Sequence, residues 1–218
     1  MKNKIEINNI SYGYNRRRKV FENFSLQINN EETTILTGKN GSGKTTLTKL
    51  IMGIIKPSYG EIKIFGQRTA DMSLGSIGKI IGYVFQYPER QLFTSSVMEE
   101  LTFPLIFKGL DKEETFVKAE EMIKIFDLKK VKDTYPFLLS YGEKRRLAIA
   151  SVLMNEPKYI ILDEPTASLD RERIDTLSEV LYKLKNKKIG MLIITHNKNF
   201  IIKHGDRVIK IEGGRAYE

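Results

Sequence analysis

The order of apolar and polar residues along this 218-residue chain predicts two kinds of β-strand. Near the N-terminus apolar residues alternate with polar ones, at Ile5 and Ile7 and again at Phe24, Leu26 and Ile28. A period of two is typical of half-buried antiparallel strands. Later apolar runs have few polar breaks, which fits buried strands of a parallel sheet. These runs are IIGYVF (80–85), YIIL (159–162) and MLIIT (191–195), and a short strand is also expected in GEIKIFG (60–66).

Two stretches place apolar residues at helical spacing, which predicts amphipathic helices at 111–126 and 170–185. In the first, Asp111 and Glu114 form a capping pair at the start. The C-terminal stretch 207–218 predicts a strand, a Gly-Gly turn and a short return strand. The residues expected on one helical face are Phe116, Ala119, Met122, Ile123 and Phe126 in the first helix and Ile174, Leu177, Leu181 and Leu184 in the second.

These elements predict a single mixed α/β domain that spans residues 1–218. Residues 1–87 and 156–218 are expected to form an antiparallel β part and a core with a parallel sheet. Residues 88–155 are expected to form a mainly helical insertion between two strands of that core. A hydrophobic fraction of 41% is enough to bury a sizeable core in a chain of this length.

The stretch GKNGSGKT (38–45) matches the phosphate-binding P-loop pattern in full, between a predicted strand and a predicted helix. Backbone N–H groups of such a loop surround phosphate oxygens, and the helix dipole adds positive potential. Lys44 should reach the β- and γ-phosphates, Thr45 should bind Mg²⁺, and Thr46 should contact the α-phosphate. The residues predicted to bind the nucleotide here are Gly38, Lys39, Asn40, Gly41, Ser42, Gly43, Lys44, Thr45 and Thr46.

A second half of the site is predicted in YIILDE (159–164), an apolar strand that ends in two carboxylates. Its end delivers both acids to the carboxyl edge of the sheet, where such sheets bind ligands. We expect Asp163 to hold Mg²⁺ through water and Glu164 to polarise the attacking water.

Composition narrows the class of protein further. The chain has no cysteine, so it has neither a disulfide framework nor a cysteine-zinc site, which suits a reducing compartment. It has no apolar run long enough to span a bilayer and no signal-peptide core at its N-terminus, so a cytoplasmic protein is expected. The net charge of +9 is spread mostly as single residues and is interpreted as solvated surface, although 15–19 and 185–188 form local clusters.

A small GTPase is excluded because NKNF (197–200) ends in Phe where guanine recognition needs Asp.

Four further motifs resemble those of the ABC ATPases, in the order in which that family carries them. LSYGE (139–143) resembles the family signature, and VFQYPERQLF (84–93) contains Gln86 at the Q-loop glutamine. ASLD (167–170) resembles the D-loop, and ITHN (194–197) places His196 at the switch histidine. The resemblance covers essentially the whole chain.

The resemblance implies a P-loop NTPase fold with a RecA-like core, an antiparallel β subdomain and a helical ABC-specific subdomain. It also implies ATP hydrolysis with Mg²⁺ between two domains packed head to tail, each signature closing over the partner's ATP. Ser140 and Gly142 would then touch the partner's γ-phosphate, while Tyr141 and Glu143 depart from the usual Leu-Ser-Gly-Gly-Gln. The resemblance further implies that Tyr14 stacks on the adenine and that His196 contacts the γ-phosphate. It implies that Gln86 senses Mg²⁺ and water and links to the membrane partner, and that Asp170 acts in trans, at the ATP site of the partner chain.

Several residues keep a simpler interpretation. Asp170 can be the N-cap of the helix that follows it, and Tyr12 competes with Tyr14 for the adenine. His204 is expected on the surface. Arg145 and Arg146 are expected to serve as surface or intersubunit salt-bridge residues rather than to bind nucleic acid.

Within the family, PERQ (88–91) and the sequence after the signature resemble the ATPases of energy-coupling-factor (ECF) importers of vitamins and transition-metal ions. This implies a peripheral protein on the cytoplasmic face of the membrane, with an identical or related second ATPase subunit and an integral membrane subunit. The segment 96–110 would offer an apolar groove to that membrane subunit. The cargo is not determined by this chain, because selectivity lies in other subunits.

Other functions stay open at this point. The chain could serve another ABC transporter class, or act on nucleic acid or ribosomes, for which a second nucleotide domain, a coiled coil or a basic arm is expected. A regulatory nucleotide binder without catalysis would lack Glu164 or His196, and both are present.

Overall fold

Two β-sheets form the framework of the chain, which a computed structural model describes over residues 4–15 and 18–218. In the described part, the first sheet has the order β2-β1-β4-β5 and its strands are antiparallel. Its strands are β1 (Lys4–Asn15), β2 (Arg18–Asn29), β4 (Tyr59–Ile64) and β5 (Gln67–Arg68). The predicted alternation is confirmed, because Ile5, Ile7 and Ile28 are fully buried and Phe24 and Leu26 nearly so.

The second sheet is mainly parallel, with the order β10-β9-β3-β8-β7-β6 among the described residues. Only the last hairpin, β9 with β10, is antiparallel there, as the Gly-Gly turn predicted. The P-loop NTPase class is therefore confirmed, and the loops at the carboxyl ends of neighbouring strands lie side by side. Its strands are β3 (Thr33–Thr37), β6 (Ile81–Val84), β7 (Tyr159–Asp163), β8 (Gly190–Ile194), β9 (Arg207–Glu212) and β10 (Arg215–Tyr217).

Helices cover the parallel sheet and fill the segment between β6 and β7. They are α1 (Lys44–Ile51), α2 (Leu74–Gly78), α3 (Val97–Phe107), α4 (Lys112–Ile125), α5 (Tyr141–Met154), α6 (Arg171–Asn186) and α7 (Lys198–His204). Helices α3, α4 and α5 contribute to one apolar core together with residues of the parallel sheet such as Ile160, Leu162 and Ile193. No helix in residues 4–15 and 18–218 has both the length and the apolar character that crossing a membrane requires. The assignment of 88–155 as a separate helical subdomain stays a prediction.

The predicted face of α4 is correct at four positions and wrong at one. Ala119, Ile123 and Phe126 are buried and Met122 packs against the same core, whereas Phe116 is 44% exposed. Thr115 is buried in its place and donates a hydrogen bond to the carbonyl of Asp111, 2.6 Å away. The capping residue Asp111 accepts from the N–H of Glu114, as predicted. In α6, Leu177 and Leu181 are buried while Ile174 and Leu184 flank them.

Two predictions of exposed residues are wrong. His204 is 4% exposed, because it lies under the rings of Tyr182 and Phe200 and its Nε2 is 2.9 Å from Ser178 Oγ. Arg145 is fully buried, because α5 lies against the edge of the parallel sheet and aims the guanidinium at backbone carbonyls there. Arg146 is half-buried and donates to the carbonyl of Phe126.

Burial of His204 should make stability depend on pH. Its pKa is lowered from 6.5 to about 4, first by burial and then by Lys203 and Lys185. Between pH 6.5 and pH 4 the imidazole is therefore protonated in the unfolded chain but neutral in the folded chain. The free energy of unfolding should fall by about 2–3 kcal/mol as pH falls from 6.5 to 4. Denaturant unfolding across that range should show a steeper decline for the wild type than for His204→Asn. Equal slopes would contradict a buried neutral His204.

Candidate functional site

The loop between β3 and α1 curls in a way that requires glycine. Gly38 and Gly43 have φ angles of 137° and 107°, in the left-handed region. A Cβ on Gly38 would lie 2.2 Å from the carbonyl oxygen of Ile211, and one on Gly43 would lie 2.8 Å from the ring of Phe21. The loop thus leads into the N-terminus of α1, where backbone N–H groups can bind an anion.

Lys44 opens α1 and lies across the loop. Its Nζ donates to the carbonyl oxygens of Gly38, 2.6 Å away, and Lys39, 3.1 Å away. Burial lowers its pKa, and the nearby Glu164 and Asp163 act in the opposite direction. The Oγ of Ser42 is buried without a hydrogen-bond partner among the described residues. A buried, unpaired hydroxyl and an ammonium bonded only to carbonyls suit a loop that closes around phosphate.

The Thr45 hydroxyl and the Asp163 carboxylate lie together at the carboxyl edge of the parallel sheet. Thr45 Oγ1 donates to Asp163 Oδ2 over 3.0 Å. Burial raises the pKa of Asp163, while the Thr45 hydrogen bond and the charges of Arg145 and Lys44 oppose this. These two oxygens suit Mg²⁺, which takes one or two protein ligands and otherwise keeps water and phosphate. In the described part of the chain, no cluster of three or more acids, histidines or cysteines could hold a metal by itself.

Glu164 and His196 follow the neighbouring strands β7 and β8 and face each other. His196 Nε2 lies 3.7 Å from Glu164 Oε1. Burial raises the pKa of Glu164, against the lowering effects of His196 and Lys44. Glu164 has a φ of 50°, a conformation that costs free energy in a non-glycine residue, and its N–H donates to the carbonyl of Ile194 over 2.9 Å. This combination of burial and strain is typical of a carboxylate held for proton transfer.

These residues line one open cleft of about 970 Å³. Tyr14 lies at its rim, 51% exposed, with its hydroxyl 3.1 Å from Thr46 Oγ1, and Tyr12 packs edge-on against it. Gly38 and Lys39 support the loop without lining the cleft. The predicted residues that the structure brings together in it are Tyr14, Asn40, Gly41, Ser42, Gly43, Lys44, Thr45, Thr46, Gln86, Asp163, Glu164 and His196.

The cleft also has residues that the sequence did not indicate. Its rim continues through β2 and the C-terminal hairpin, for which the sequence predicts only a strand, a turn and a return strand. No motif in the sequence marks these positions, because they reach the cleft through the pairing of distant strands. They are Lys19, Val20, Phe21, Glu22, Gly213, Gly214 and Arg215, and Ile194 of the ITHN stretch also lines the cleft.

The signature residues lie outside this cleft. Ser140 is the N-cap of α5 and forms a capping box, in which the Glu143 N–H donates to Ser140 Oγ and the Ser140 N–H donates to Glu143. The Ser140 hydroxyl also donates to the Glu143 carboxylate, 2.6 Å away, which lowers the pKa of Glu143. Gly142 and Asp170 do not line the cleft either, and Asp170 caps α6 by accepting from the Arg173 N–H. The capping role of Asp170 is thus present, and its trans role stays a prediction.

The sequence profile of the ABC transporter family matches residues 21–167, about two thirds of the chain. The chain belongs to the ABC transporter family. It is accordingly an ATP-binding, ATP-hydrolysing domain of that family.

Relatives of this ABC ATPase match it over nearly its whole length. An ABC transporter ATP-binding protein of Pyrococcus furiosus is 36% identical over 97% of this chain and 81% of the relative. The energy-coupling factor transporter ATP-binding protein of Thermotoga maritima is 38% identical over 97% of this chain and 80% of the relative. Other relatives are longer: the chain spans 37% of an ABC transporter ATP-binding protein of Bacillus anthracis, with 40% identity.

Solved structures agree with the fold. A CbiO subunit of Clostridium perfringens, part of the CbiONQ ABC transporter complex, aligns with a TM-score of 0.83 at 32% identity, over 98% of this chain and 86% of that one. An ATP-binding cassette in a dimeric post-hydrolysis state with ADP and Pi aligns with a TM-score of 0.88 at 29% identity, over 98% of this chain and 97% of that one.

Proposed function

We propose that this ABC ATPase hydrolyses Mg²⁺-bound ATP as one of two facing subunits that energise an ECF-type importer of a vitamin or a transition-metal ion. The observation that carries the proposal is that the cleft contains only part of the predicted ATP site. Phosphate-loop and acidic residues line it, whereas Ser140, Gly142 and Asp170 lie elsewhere on the chain. A second molecule that supplies these residues across an interface would complete the site. The dimeric cassette and the energy-coupling factor relative support this reading.

Six residues of the cleft then have roles that their surroundings suit. Lys44 would exchange its two carbonyl partners for β- and γ-phosphate oxygens, and Thr45 and Asp163 would hold Mg²⁺ together with water. Bound Mg²⁺ would neutralise charge that develops between the β- and γ-phosphates. Glu164 accepts a proton from the attacking water, because burial keeps this carboxyl a stronger base than an exposed one. Gln86 orients that water, and His196 contacts the γ-phosphate.

The membrane partner is proposed to bind beside α3, where aromatic rings remain exposed. Phe93 packs edge-on against Phe103, which stacks on Phe107, with centroid distances of 5.7 Å in both pairs. Phe93 is 64% exposed and Phe107 is 81% exposed. A peripheral position on the cytoplasmic face of the membrane follows, with an integral membrane subunit covering these rings.

Co-purification tests the transport assignment. The tagged chain is produced together with the ATPase and membrane proteins encoded beside it, and is recovered from detergent-solubilised membranes. We expect a complex with one polytopic membrane protein and Mg²⁺-dependent ATP hydrolysis. Phe93→Ser should reduce recovery of the membrane protein at least about tenfold, since exposed aromatic anchors dominate such interfaces.

Ile202→Ser is the matched control, because Ile202 is 82% exposed on α7, far from α3 in the chain. It should leave recovery unchanged. Recovery of ribosomes or nucleic acid in place of a membrane protein would overturn the transport assignment. Recovery of a membrane protein that exports its cargo would leave an ABC transporter of another class.

A further inference from the structure

The chain leaves the parallel sheet at its edge just before Gln86. Among residues 4–15 and 18–218, β6 is the outermost strand at this edge, so no described strand lies beyond it to pair with the backbone of Phe85 and Gln86. Buried backbone groups need partners, and side chains supply them here. The Phe85 N–H donates to Gln91 Oε1 over 2.9 Å, and the Gln91 amide in turn donates to the carbonyl of Ala148 on α5.

Arg145 of α5 bonds the other side of this segment. Its guanidinium donates to the carbonyl oxygens of Phe85 and Asp163, each 3.2 Å away, and to that of Gln86. One side chain of the signature helix therefore contacts the backbone of both the Q-loop glutamine and the magnesium-binding aspartate.

Tyr141 closes the network from inside the signature. Its hydroxyl donates to the Gln86 carbonyl over 2.9 Å and accepts from Arg145 over 2.8 Å, while the guanidinium lies 5.3 Å from the ring centroid. Tyr141 is the first residue of α5, directly after the N-cap Ser140. One of the two residues that depart from the family signature thus joins the signature turn to Gln86.

Burial of this guanidinium is expensive and argues for a positional role. Arg145 is fully buried, and its Nε has no hydrogen-bond partner among the described residues. Its three carbonyl partners lie on two segments, the residues just after β6 and the last residue of β7, so these hydrogen bonds fix both segments relative to α5.

We propose that Tyr141 is a positioning residue that couples the signature turn to Gln86 of the same chain, acting with Arg145. When the signature turn engages nucleotide held by the second molecule, its displacement is transmitted through the Tyr141 hydroxyl to this chain's own Gln86. The two ATP sites of a dimer are thereby linked. This inference rests on the proposed function, because it assumes that the signature acts in trans.

The test removes one oxygen atom by Tyr141→Phe. We expect kcat for ATP hydrolysis to fall about fivefold, because the variant loses the hydrogen bond to the Gln86 carbonyl and leaves Arg145 one partner short. KM for ATP should be unchanged because the phosphate loop is untouched. Tyr182→Phe is the matched control, since it also removes a hydroxyl that donates to a backbone carbonyl, that of Lys203. It should leave both constants unchanged.

Hydrogen exchange provides a readout that needs no catalysis. In the nucleotide-free chain, amides of residues 85–91 should exchange about threefold faster or more in Tyr141→Phe than in the wild type, while amides of α3 stay the same. An unchanged kcat or unchanged exchange at 85–91 would overturn the inference. If the wild type itself hydrolyses no ATP, the proposed function fails, and the exchange result still decides whether Tyr141 holds the Gln86 segment.

Discussion

Replacing Glu164 with Gln is expected to lower ATP turnover at least about a hundredfold, because the variant has no carboxylate to accept the proton of the attacking water. The amide is nearly the same size, so ATP should still bind and should hold two chains together. Phosphate release at saturating Mg²⁺ and ATP measures the first effect, and the mass of the ATP-loaded species in solution measures the second. Unchanged hydrolysis would remove Glu164 from its role.

Glu172→Gln is the matched control for that substitution. Glu172 has a side chain that is 83% exposed on α6, where it pairs with Arg173, and its loss should not alter turnover.

The pH dependence of wild-type turnover offers a second check on Glu164. Because burial raises the pKa of Glu164, turnover should decline on acidification at a higher pH than an exposed glutamate would impose. A decline only near the ordinary glutamate pKa of 4.5 would contradict the buried base.

Mixing two inactive variants is expected to restore activity if the signature acts in trans. Lys44→Ala removes the phosphate-binding lysine and Ser140→Ala removes the signature hydroxyl. In a mixed dimer both defects fall on one ATP site, so the other site is intact. With about half of randomly formed dimers mixed, the mixture should recover about a quarter of wild-type turnover. Phosphate release from the mixture against each variant alone is the measurement.

Mixing Lys44→Ala with Glu164→Gln is the matched control. Lys44 and Glu164 line the same cleft of one chain, so each of the two sites in that mixed dimer keeps one defect and no rescue is expected. Absence of rescue in the first mixture, with mixed dimers demonstrated by two different tags, would contradict assembly in trans. Equal rescue in both mixtures would contradict it as well.

Most of the fold could be predicted from the sequence because its signals are local. The alternation at Ile5 and Ile7 and the unbroken apolar run YIIL follow from which faces of a strand are buried, and the structure has both strands. The prediction failed at Phe116, since Thr115 hydrogen-bonds within the first turn of α4 and occupies the buried side instead. An amphipathic pattern gives the face of a helix only to within one residue.

The candidate site also has a part that could be predicted from the sequence and a part that could not. The phosphate loop is a continuous stretch whose glycines, lysine and threonines act together, so its position could be read directly. Residues such as Lys19 and Arg215 enter the cleft from strands far apart in the chain, and no local signal marks them. The trans roles of Ser140 and Asp170 stay predictions, and neither residue lines the cleft of its own chain.

The sequence by itself determined the family, the phosphate loop and the two acids at the end of β7, because these depend on short motifs whose chemistry needs particular residues in a particular order. Only the tertiary structure decided which charged and polar groups are buried. Arg145 and His204 look like surface residues in the sequence, and packing of α5 against the sheet edge and of α7 against α6 encloses them. The bond from Tyr141 to Gln86 belongs to the same class, since it joins positions 55 residues apart and exists only when the signature helix meets the edge strand.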